Sequence, residues 1–190
     1  MNDFHQLCLL IEARLASQDR VLLAIDGCCT AGKTTLAAAL AARYDSTIFH
    51  MDDFFLRPEQ RTPQRLAEVG GNVDYERFRQ EVLTPLLAGT DFRYRPYDCK
   101  TCLLADPIDV SPTPLCIIEG SYSTHPFFGR PYDLTVFLSV SPQTQHARIL
   151  QRPAHLHQRF FREWIPMEQQ YFQEFSIAEA CDLSLHGLSL

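Results

Sequence analysis

The sequence predicts an α/β fold of three layers, in which helices cover both faces of a mostly parallel, five-stranded sheet. Two observations predict it. Short, continuous apolar runs recur along the chain, and such runs are typical of strands that are buried on both faces. Segments of helical composition and spacing alternate with these runs, as they do where helices connect parallel strands.

The individual elements follow from spacing and composition. Apolar residues at helical intervals predict a helix at the start of the chain, and runs rich in Ala and Leu predict another. The predicted strands are Val21–Ile25, Thr47–Met51, Leu115–Ile118, Leu134–Val140 and Cys181–Leu185. The predicted helices are a first one through Phe4, Leu7, Cys8, Ile11 and Leu15, then Lys33–Arg43, Tyr75–Leu87, Gln143–Gln151 and Arg162–Phe175.

Two further stretches are rich in Pro, Gly and polar residues, and we expect both to be long loops around a site. They are Arg57–Asn72 and Asp98–Pro114. No internal repeat is apparent, and the length suits a single domain over residues 1–190.

Composition and charge exclude several functions. The net charge of −6 argues against a nonspecific grip on nucleic acid, which depends on a basic surface. No apolar run approaches the roughly 20 residues that span a bilayer, so we expect no membrane partner. The 7 cysteines are scattered and no signal peptide precedes them, which indicates a reducing, cytoplasmic setting. Homo-oligomerisation stays open.

One motif is strong. The residues after the first predicted strand match G-x-x-x-x-G-K-[ST], the phosphate-binding P-loop, and a predicted helix follows. Its glycines let successive N–H groups point at phosphate oxygens. Lys33 is expected to bridge the β- and γ-phosphates of ATP, and Thr34 to ligate Mg²⁺. The predicted nucleotide-binding residues are Gly27, Cys28, Cys29, Thr30, Ala31, Gly32, Lys33, Thr34 and Thr35.

The P-loop alone does not distinguish kinase, GTPase and ATPase, but carboxylates follow where a kinase needs them. Asp52 and Asp53 end the second predicted strand, and Glu119 ends the third. In open α/β sheets, ligands bind at the carboxyl ends of strands. A carboxylate there can accept a proton from the acceptor hydroxyl, and Glu119 suits a Mg²⁺ contact.

A basic stretch indicates a lid. Arg148 and Arg152 are four residues apart, so they share a face of a helix. Arginines that converge on a triphosphate stabilise charge in the transition state. Pro153 is expected to end that helix, and a helical lid is expected over residues 152–163 approximately.

Taken together, the ordered motifs resemble the phosphoribulokinase/uridine kinase family of P-loop kinases, from about Val21 to Leu185. The Asp-Asp-Phe-Phe version also resembles nicotinamide riboside kinases. The motifs are Ile25-Asp26-Gly27 before the P-loop, Asp52-Asp53-Phe54-Phe55, Gly71-Asn72-Val73-Asp74, Tyr97-Asp98, Glu119-Gly120 and Tyr132-Asp133.

The resemblance implies transfer of the γ-phosphate of ATP to a hydroxyl of a small acceptor, a nucleoside such as uridine. It implies that Asp52 is the catalytic carboxylate and also contacts Mg²⁺, with Glu119 beside it. Asp74 matches a ribose-binding aspartate and Tyr97 a tyrosine of the base pocket. Asp53 is a further acceptor-binding residue, and whether Asp52 or Asp53 is the base stays open.

The lid arginines of the family match Arg148 and Arg152, and Arg148 is also expected to contact the acceptor. One position departs from the family. Five residues after Tyr97, uridine–cytidine kinases carry a base-reading histidine, and this chain has Cys102. A thiol is a poorer hydrogen-bond partner for a pyrimidine than imidazole is.

Two alternatives therefore stay open. In the first alternative, the protein is still a kinase, but its acceptor is nicotinamide riboside, another small alcohol or a sugar. In the second, the protein is a nucleotide-binding regulator without small-molecule transfer, although the sequence carries no N-K-x-D guanine motif.

Overall fold

The computed structural model describes residues 3–187. The strands, in chain order, are β1 (Val21–Gly27), β2 (Ser46–His50), β3 (Phe92–Tyr94), β4 (Tyr97–Asp98), β5 (Leu103–Leu104), β6 (Ile108–Val110), β7 (Leu115–Glu119), β8 (Leu134–Ser139) and β9 (Leu183–His186). The helices are α1 (Asp3–Leu15), α2 (Lys33–Ala41), α3 (Pro63–Ala67), α4 (Tyr75–Phe78), α5 (Thr84–Ala88), α6 (Pro142–Leu150), α7 (Ala154–Arg159), α8 (Ile165–Glu174) and α9 (Ile177–Ala180).

Five parallel strands form the central sheet, in the order β2-β7-β1-β8-β9. All seven residues of β1 and all five of β7 are buried, as their apolar sequences require. Ile25 of β1 and His50 of β2 both lie opposite Glu119 of β7. The register therefore brings the carboxyl ends of these three strands to one edge of the sheet.

Alternate residues of the strands supply two cores, one on each face of the sheet. On one face, Leu23 and Ile25 of β1 pack with residues of α1 and α2 such as Ile11 and Leu36. On the other, Phe49 of β2 and Ile118 of β7 pack with Phe54 and with residues of α4 and α5. The predicted three-layer α/β/α fold with a five-stranded parallel sheet is confirmed.

Two segments differ from the prediction of long loops, which was wrong for both. The stretch 57–72 contains a 3₁₀ turn at Pro58–Gln60 and helix α3. The stretch 98–114 contains β5 and β6, which pair antiparallel with β4 and β3 in two small hairpins. Strands of two or three residues are too short to show an alternating pattern. Each hairpin buries side chains of its own, Tyr94 of β3 and Val110 of β6 in one and Tyr97 of β4 in the other.

The residues of the predicted lid, 152–163, are largely helical. A π-helical stretch, Phe160–Trp164, joins α7 to α8, and the backbone stays in the right-handed helical region at both junctions. Residues 154–174 are therefore one helical run. None of the helices in residues 3–187 combines the length and apolar character that crossing a bilayer requires.

His125 fastens the segment that leads into α4. Its ring stacks between Tyr75, at a centroid distance of 4.8 Å, and Tyr171, at 5.8 Å. Nδ1 accepts a hydrogen bond from the backbone N–H of Phe127, so Nε2 carries the proton and faces the carbonyl oxygen of Val69 at 3.3 Å. Burial lowers the pKa of His125 below its usual value.

This burial predicts a pH dependence of stability. Because the pKa of His125 is lower in the folded chain than in the unfolded chain, the unfolded chain binds a proton first. Stability is therefore lost as the pH falls below the unfolded value, about 6.5, and the effect vanishes above it. We expect the free energy of unfolding in urea to fall between pH 7.5 and 5.5, with His125 contributing about 1 kcal/mol.

The variant His125→Phe should flatten that part of the pH profile while keeping the ring stack. His155→Phe is the matched control, because His155 is exposed in α7. An unchanged profile in His125→Phe would contradict the assignment.

Candidate active site

The P-loop follows β1 and opens α2, as predicted. Gly27 (φ 133°), Thr30 (φ 59°) and Gly32 (φ 108°) have positive φ angles, which curl the loop so that its N–H groups can converge on an anion. Thr34 and Thr35 lie in the exposed first turn of α2. No side chain caps that helix, so its N–H groups and its positive end face the site.

Gly27 is required by packing as well as by its backbone angle. It lies opposite Leu138 of β8, and a Cβ at Gly27 would be 2.0 Å from the carbonyl oxygen of Leu138. The close contact between β1 and β8 thus sets where the loop leaves the sheet.

Lys33 is folded back along the loop. Its Nζ donates to the carbonyl oxygens of Gly27 at 2.7 Å and Cys28 at 2.9 Å, and to Ser121 Oγ at 3.2 Å. Only 8% of Lys33 is exposed. The ammonium group therefore lies inside the mouth of the loop, between β1 and the segment that follows β7.

Glu119 joins the P-loop to β2. Its Oε1 accepts a hydrogen bond from Thr34 Oγ1 at 3.0 Å and contacts Nδ1 of His50 at 2.5 Å. The strand register explains this, since Glu119 lies opposite His50. The hydrogen bond to Glu119 raises the pKa of His50. The oxygen atoms of Thr34, Glu119 and nearby Asp52 suit Mg²⁺, which prefers oxygen ligands and takes few from the protein.

Asp52 and Asp53 differ in their surroundings. Both lie on the 3₁₀ turn Met51–Phe54 that follows β2. Asp52 is open to solvent, yet the walls of the cleft surround its carboxylate and raise its pKa, against the opposing effect of Lys33. Asp53 accepts a hydrogen bond from Tyr94 Oη at 3.3 Å. No side-chain hydrogen bond reaches Asp52 within residues 3–187, so its carboxylate is the less constrained of the two.

Asp74 is engaged by the fold itself. It caps α4 by accepting from the backbone N–H of Arg77 at 3.1 Å, accepts from Gln60 Nε2 at 2.7 Å and lies 3.6 Å from Arg77 Nε. Arg77 also donates to the carbonyl oxygen of Asp53 at 2.6 Å. Asp74 thus shares its partner Arg77 with Asp53 and is held by three protein contacts.

Tyr97 is buried in β4, and the β4–β5 hairpin carries Cys99 and Cys102 at its tip. The negative charge of Asp52 contributes to the raised pKa of the Cys99 thiol, after the larger effect of burial. The hairpin therefore lies close to Asp52.

The structure separates the two predicted lid arginines. Arg148 donates to the P-loop carbonyl oxygens of Thr30 at 2.8 Å and Ala31 at 3.0 Å. Arg152 follows the end of α6 and is exposed. Only Arg148 lies at the P-loop here, and the roles of both stay predictions.

Sequence reasoning assigned no role to three residues that the structure places at the site. Asp26 is fully buried at the end of β1, and Ser121 contacts Lys33 and the carbonyl oxygen of Gly27. Glu168 of α8 accepts from the backbone N–H of Cys29. An acidic residue within an apolar strand could have indicated Asp26, but Glu168 looked like any polar residue on a surface helix.

The cysteines of the loop are not activated. Burial, followed by the charge of Glu168, raises the pKa of both Cys28 and Cys29. This disfavours the thiolate form on which oxidation and nucleophilic reactions depend. The side chains of Cys28 and Cys29 are therefore uncharged thiols in the loop.

A scan with protein-family models gave no match, and neither did a search of curated protein sequences. Solved structures do match. A possible uridine kinase from Bacillus stearothermophilus is 21% identical with a TM-score of 0.71, over 95% of this chain and 97% of that one. A candidate fructose transport system kinase from Silicibacter sp. TM1040 is 22% identical with a TM-score of 0.72, over 97% of this chain and 100% of that one.

YFH7 from Saccharomyces cerevisiae, a candidate P-loop containing kinase with a circular permutation, is 13% identical with a TM-score of 0.69 over 99% of this chain and 100% of that one. Identities of this size establish the fold alone. The chain has the P-loop fold that these proteins share, which confirms the resemblance read from the motifs at the level of the fold.

The packing at Gly27 predicts an asymmetry between two glycines with positive φ. Gly129 has a φ of 72°, and apart from its chain neighbours no atom of residues 3–187 lies within 4 Å of the place that a Cβ would take there. Gly129→Ala should therefore cost only the backbone strain, about 1–3 kcal/mol. Gly27→Ala adds the clash with Leu138 and should cost about 2 kcal/mol more than Gly129→Ala, as measured by urea unfolding. Equal losses in the two variants would disprove the packing argument.

Proposed function

We propose that this protein is an ATP- and Mg²⁺-dependent kinase that phosphorylates a hydroxyl of a small acceptor, a nucleoside or a related riboside. The observation that carries the proposal is the convergence of Lys33, the Thr34–Glu119 pair and Asp52 at one edge of the sheet. Phosphoryl transfer needs a site that binds the nucleotide phosphates and a carboxylate that the acceptor hydroxyl can reach, and a P-loop beside an accessible carboxylate supplies both.

The donor half of the mechanism rests on the P-loop. Its backbone N–H groups and the N-terminus of α2 bind phosphate oxygens, and Lys33 neutralises charge on the β- and γ-phosphates. Thr34, Glu119 and Asp52 would hold Mg²⁺, which when bound supplies further neutralisation of phosphate charge. Arg148 holds the loop through its carbonyl oxygens and stabilises its shape.

The acceptor half rests on Asp52. Burial of its surroundings raises the pKa of the carboxylate, which makes it a better proton acceptor than an ordinary aspartate. Asp52 accepts the proton of the acceptor hydroxyl as the oxygen attacks the γ-phosphate. Asp53 is held by Tyr94 and by the Arg77 contact to its carbonyl oxygen, so it shapes the acceptor pocket.

The groups around Asp52 support the proposal of a small acceptor. The β4–β5 hairpin, with Tyr97 and Cys102, lies on one side of Asp52, and Asp74 lies behind Asp53 through their shared partner Arg77. Two neighbours in fold are described as a possible uridine kinase and a candidate fructose transport system kinase, which supports a hydroxylated acceptor. Cys102 favours a riboside other than a pyrimidine nucleoside as the alternative acceptor.

The assignment of the base predicts the effect of Asp52→Asn. We expect the variant to bind ATP as the wild type does and to lose transfer by a factor of about 10²–10⁴, measured as acceptor-dependent ADP release. Asp53→Asn should lose a smaller fraction of the transfer activity. Asp19→Asn removes a carboxylate from the exposed turn before β1, at the opposite edge of the sheet, and should keep full activity. Full activity in Asp52→Asn would refute the assignment.

The acceptor class is tested separately. We expect ATP and Mg²⁺ to give ADP release that is stimulated by ribosides in a panel of uridine, cytidine, nicotinamide riboside, fructose and pantothenate. Stimulation by fructose or pantothenate alone would contradict the riboside part and leave the kinase part standing. Hydrolysis of GTP that no acceptor stimulates would instead favour a nucleotide-dependent regulator.

A further inference from the structure

A second acidic group lies at the mouth of the P-loop. Glu168 of α8 is 5% exposed. Its Oε2 accepts a hydrogen bond from the backbone N–H of Cys29 at 2.9 Å, and its Oε1 accepts one from Ser121 Oγ at 2.6 Å. Ser121 in turn accepts from Lys33 Nζ at 3.2 Å. One hydroxyl group therefore separates the Glu168 carboxylate from the P-loop ammonium.

These partners are the kind of groups that a terminal phosphate uses. P-loop N–H groups and the P-loop lysine together cradle the β- and γ-phosphates. A carboxylate presents two acceptor oxygens and a negative charge, as one face of a phosphate does. Glu168 thus binds the loop in the way that a phosphate would, but from the protein's own helix.

Glu168 and a γ-phosphate cannot share this place without cost. Two like charges a few ångströms apart repel strongly inside a protein, where the effective dielectric constant is well below that of water. ADP lacks the third phosphate, so a carboxylate that competes with that phosphate distinguishes ATP from ADP.

We propose that Glu168 is a sensor of the γ-phosphate: ATP displaces its carboxylate from Cys29 and Ser121, and ADP does not. Helix α8 continues back through Phe160–Trp164 to α7 without a break in the helical backbone. A shift of Glu168 is therefore transmitted to residues 154–164, which form the predicted lid. The lid helix responds in this way only to a nucleotide that can donate a phosphate.

This inference rests on the proposed function, because it assumes that the P-loop binds ATP. Its test uses binding rather than transfer, so no acceptor is required. The probes are ADP and the non-hydrolysable β,γ-imido analogue of ATP, each with Mg²⁺, titrated by calorimetry into the wild-type chain and Glu168→Gln. Glutamine keeps the size and a hydrogen-bond acceptor but removes the charge. Glu174→Gln, an exposed residue of the same helix, is the matched control.

Glu168→Gln should bind the ATP analogue on the order of tenfold more tightly and ADP as the wild type does, and Glu174→Gln should change neither. Equal changes for the two nucleotides, or weaker binding of the analogue, would overturn the inference alone. Absence of nucleotide binding in the wild type and in Glu168→Gln would overturn the proposed function as well.

A second measurement needs no variant and stands if Glu168→Gln fails to fold. In the wild-type chain, the ATP analogue should change amide hydrogen exchange in residues 154–164 and in α8, whereas ADP should leave both as they are. The same exchange pattern with both nucleotides would refute a sensor at Glu168.

Discussion

The site depends on one buried carboxylate, that of Asp26 at the end of β1. It accepts five hydrogen bonds: from the backbone N–H groups of Gly27, Tyr122 and Thr124, from Thr124 Oγ1 and from Tyr171 Oη. These donors belong to the P-loop, to the segment after β7 and to α8. A buried charge without such partners would be strongly destabilising, so Asp26 requires all three parts to stay together.

This arrangement explains why the groups of the candidate site meet. Asp26 holds Tyr122 and Thr124, in the segment after β7, against β1. The same segment carries Ser121, whose Oγ contacts the P-loop lysine. Asp26 also holds α8 through Tyr171, one helical turn from Glu168. The sheet register then adds β2, because His50 lies opposite Glu119. Strand pairing supplies the alignment, and the buried carboxylate ties the loops to it.

The sequence predicts well what local chemistry decides. Short motifs were enough to predict the P-loop, the five strands of the central sheet and the carboxylates at the ends of β2 and β7. Each of these features depends on a few neighbouring residues. The hairpins at β3–β6 and β4–β5 could not be predicted, since strands of two or three residues leave no periodic pattern.

The sequence did not predict hydrogen-bond partners that are distant along the chain either. Glu168 lies 139 residues from Cys29 in the chain, and nothing in its own helix distinguishes it from a solvated glutamate. The same holds for Asp74, whose motif indicated a ligand-binding residue while its contacts with Gln60 and Arg77 come from the tertiary fold. Sequence spacing indicates which strand end a residue occupies, but only the packed structure shows which donors already engage it.

The number of protein donors on each carboxylate separates structural from chemical roles. Asp26 accepts hydrogen bonds from five protein donors, and it cannot leave them unless the fold opens. Glu119 has Thr34 and His50, and Glu168 has Cys29 and Ser121, few enough for a cation or a phosphate to compete. Asp52 has no hydrogen-bond donor within residues 3–187 and faces the cleft. A proton acceptor must have a free lone pair when the substrate hydroxyl arrives, and the lack of protein donors on Asp52 supports the role that we propose for it.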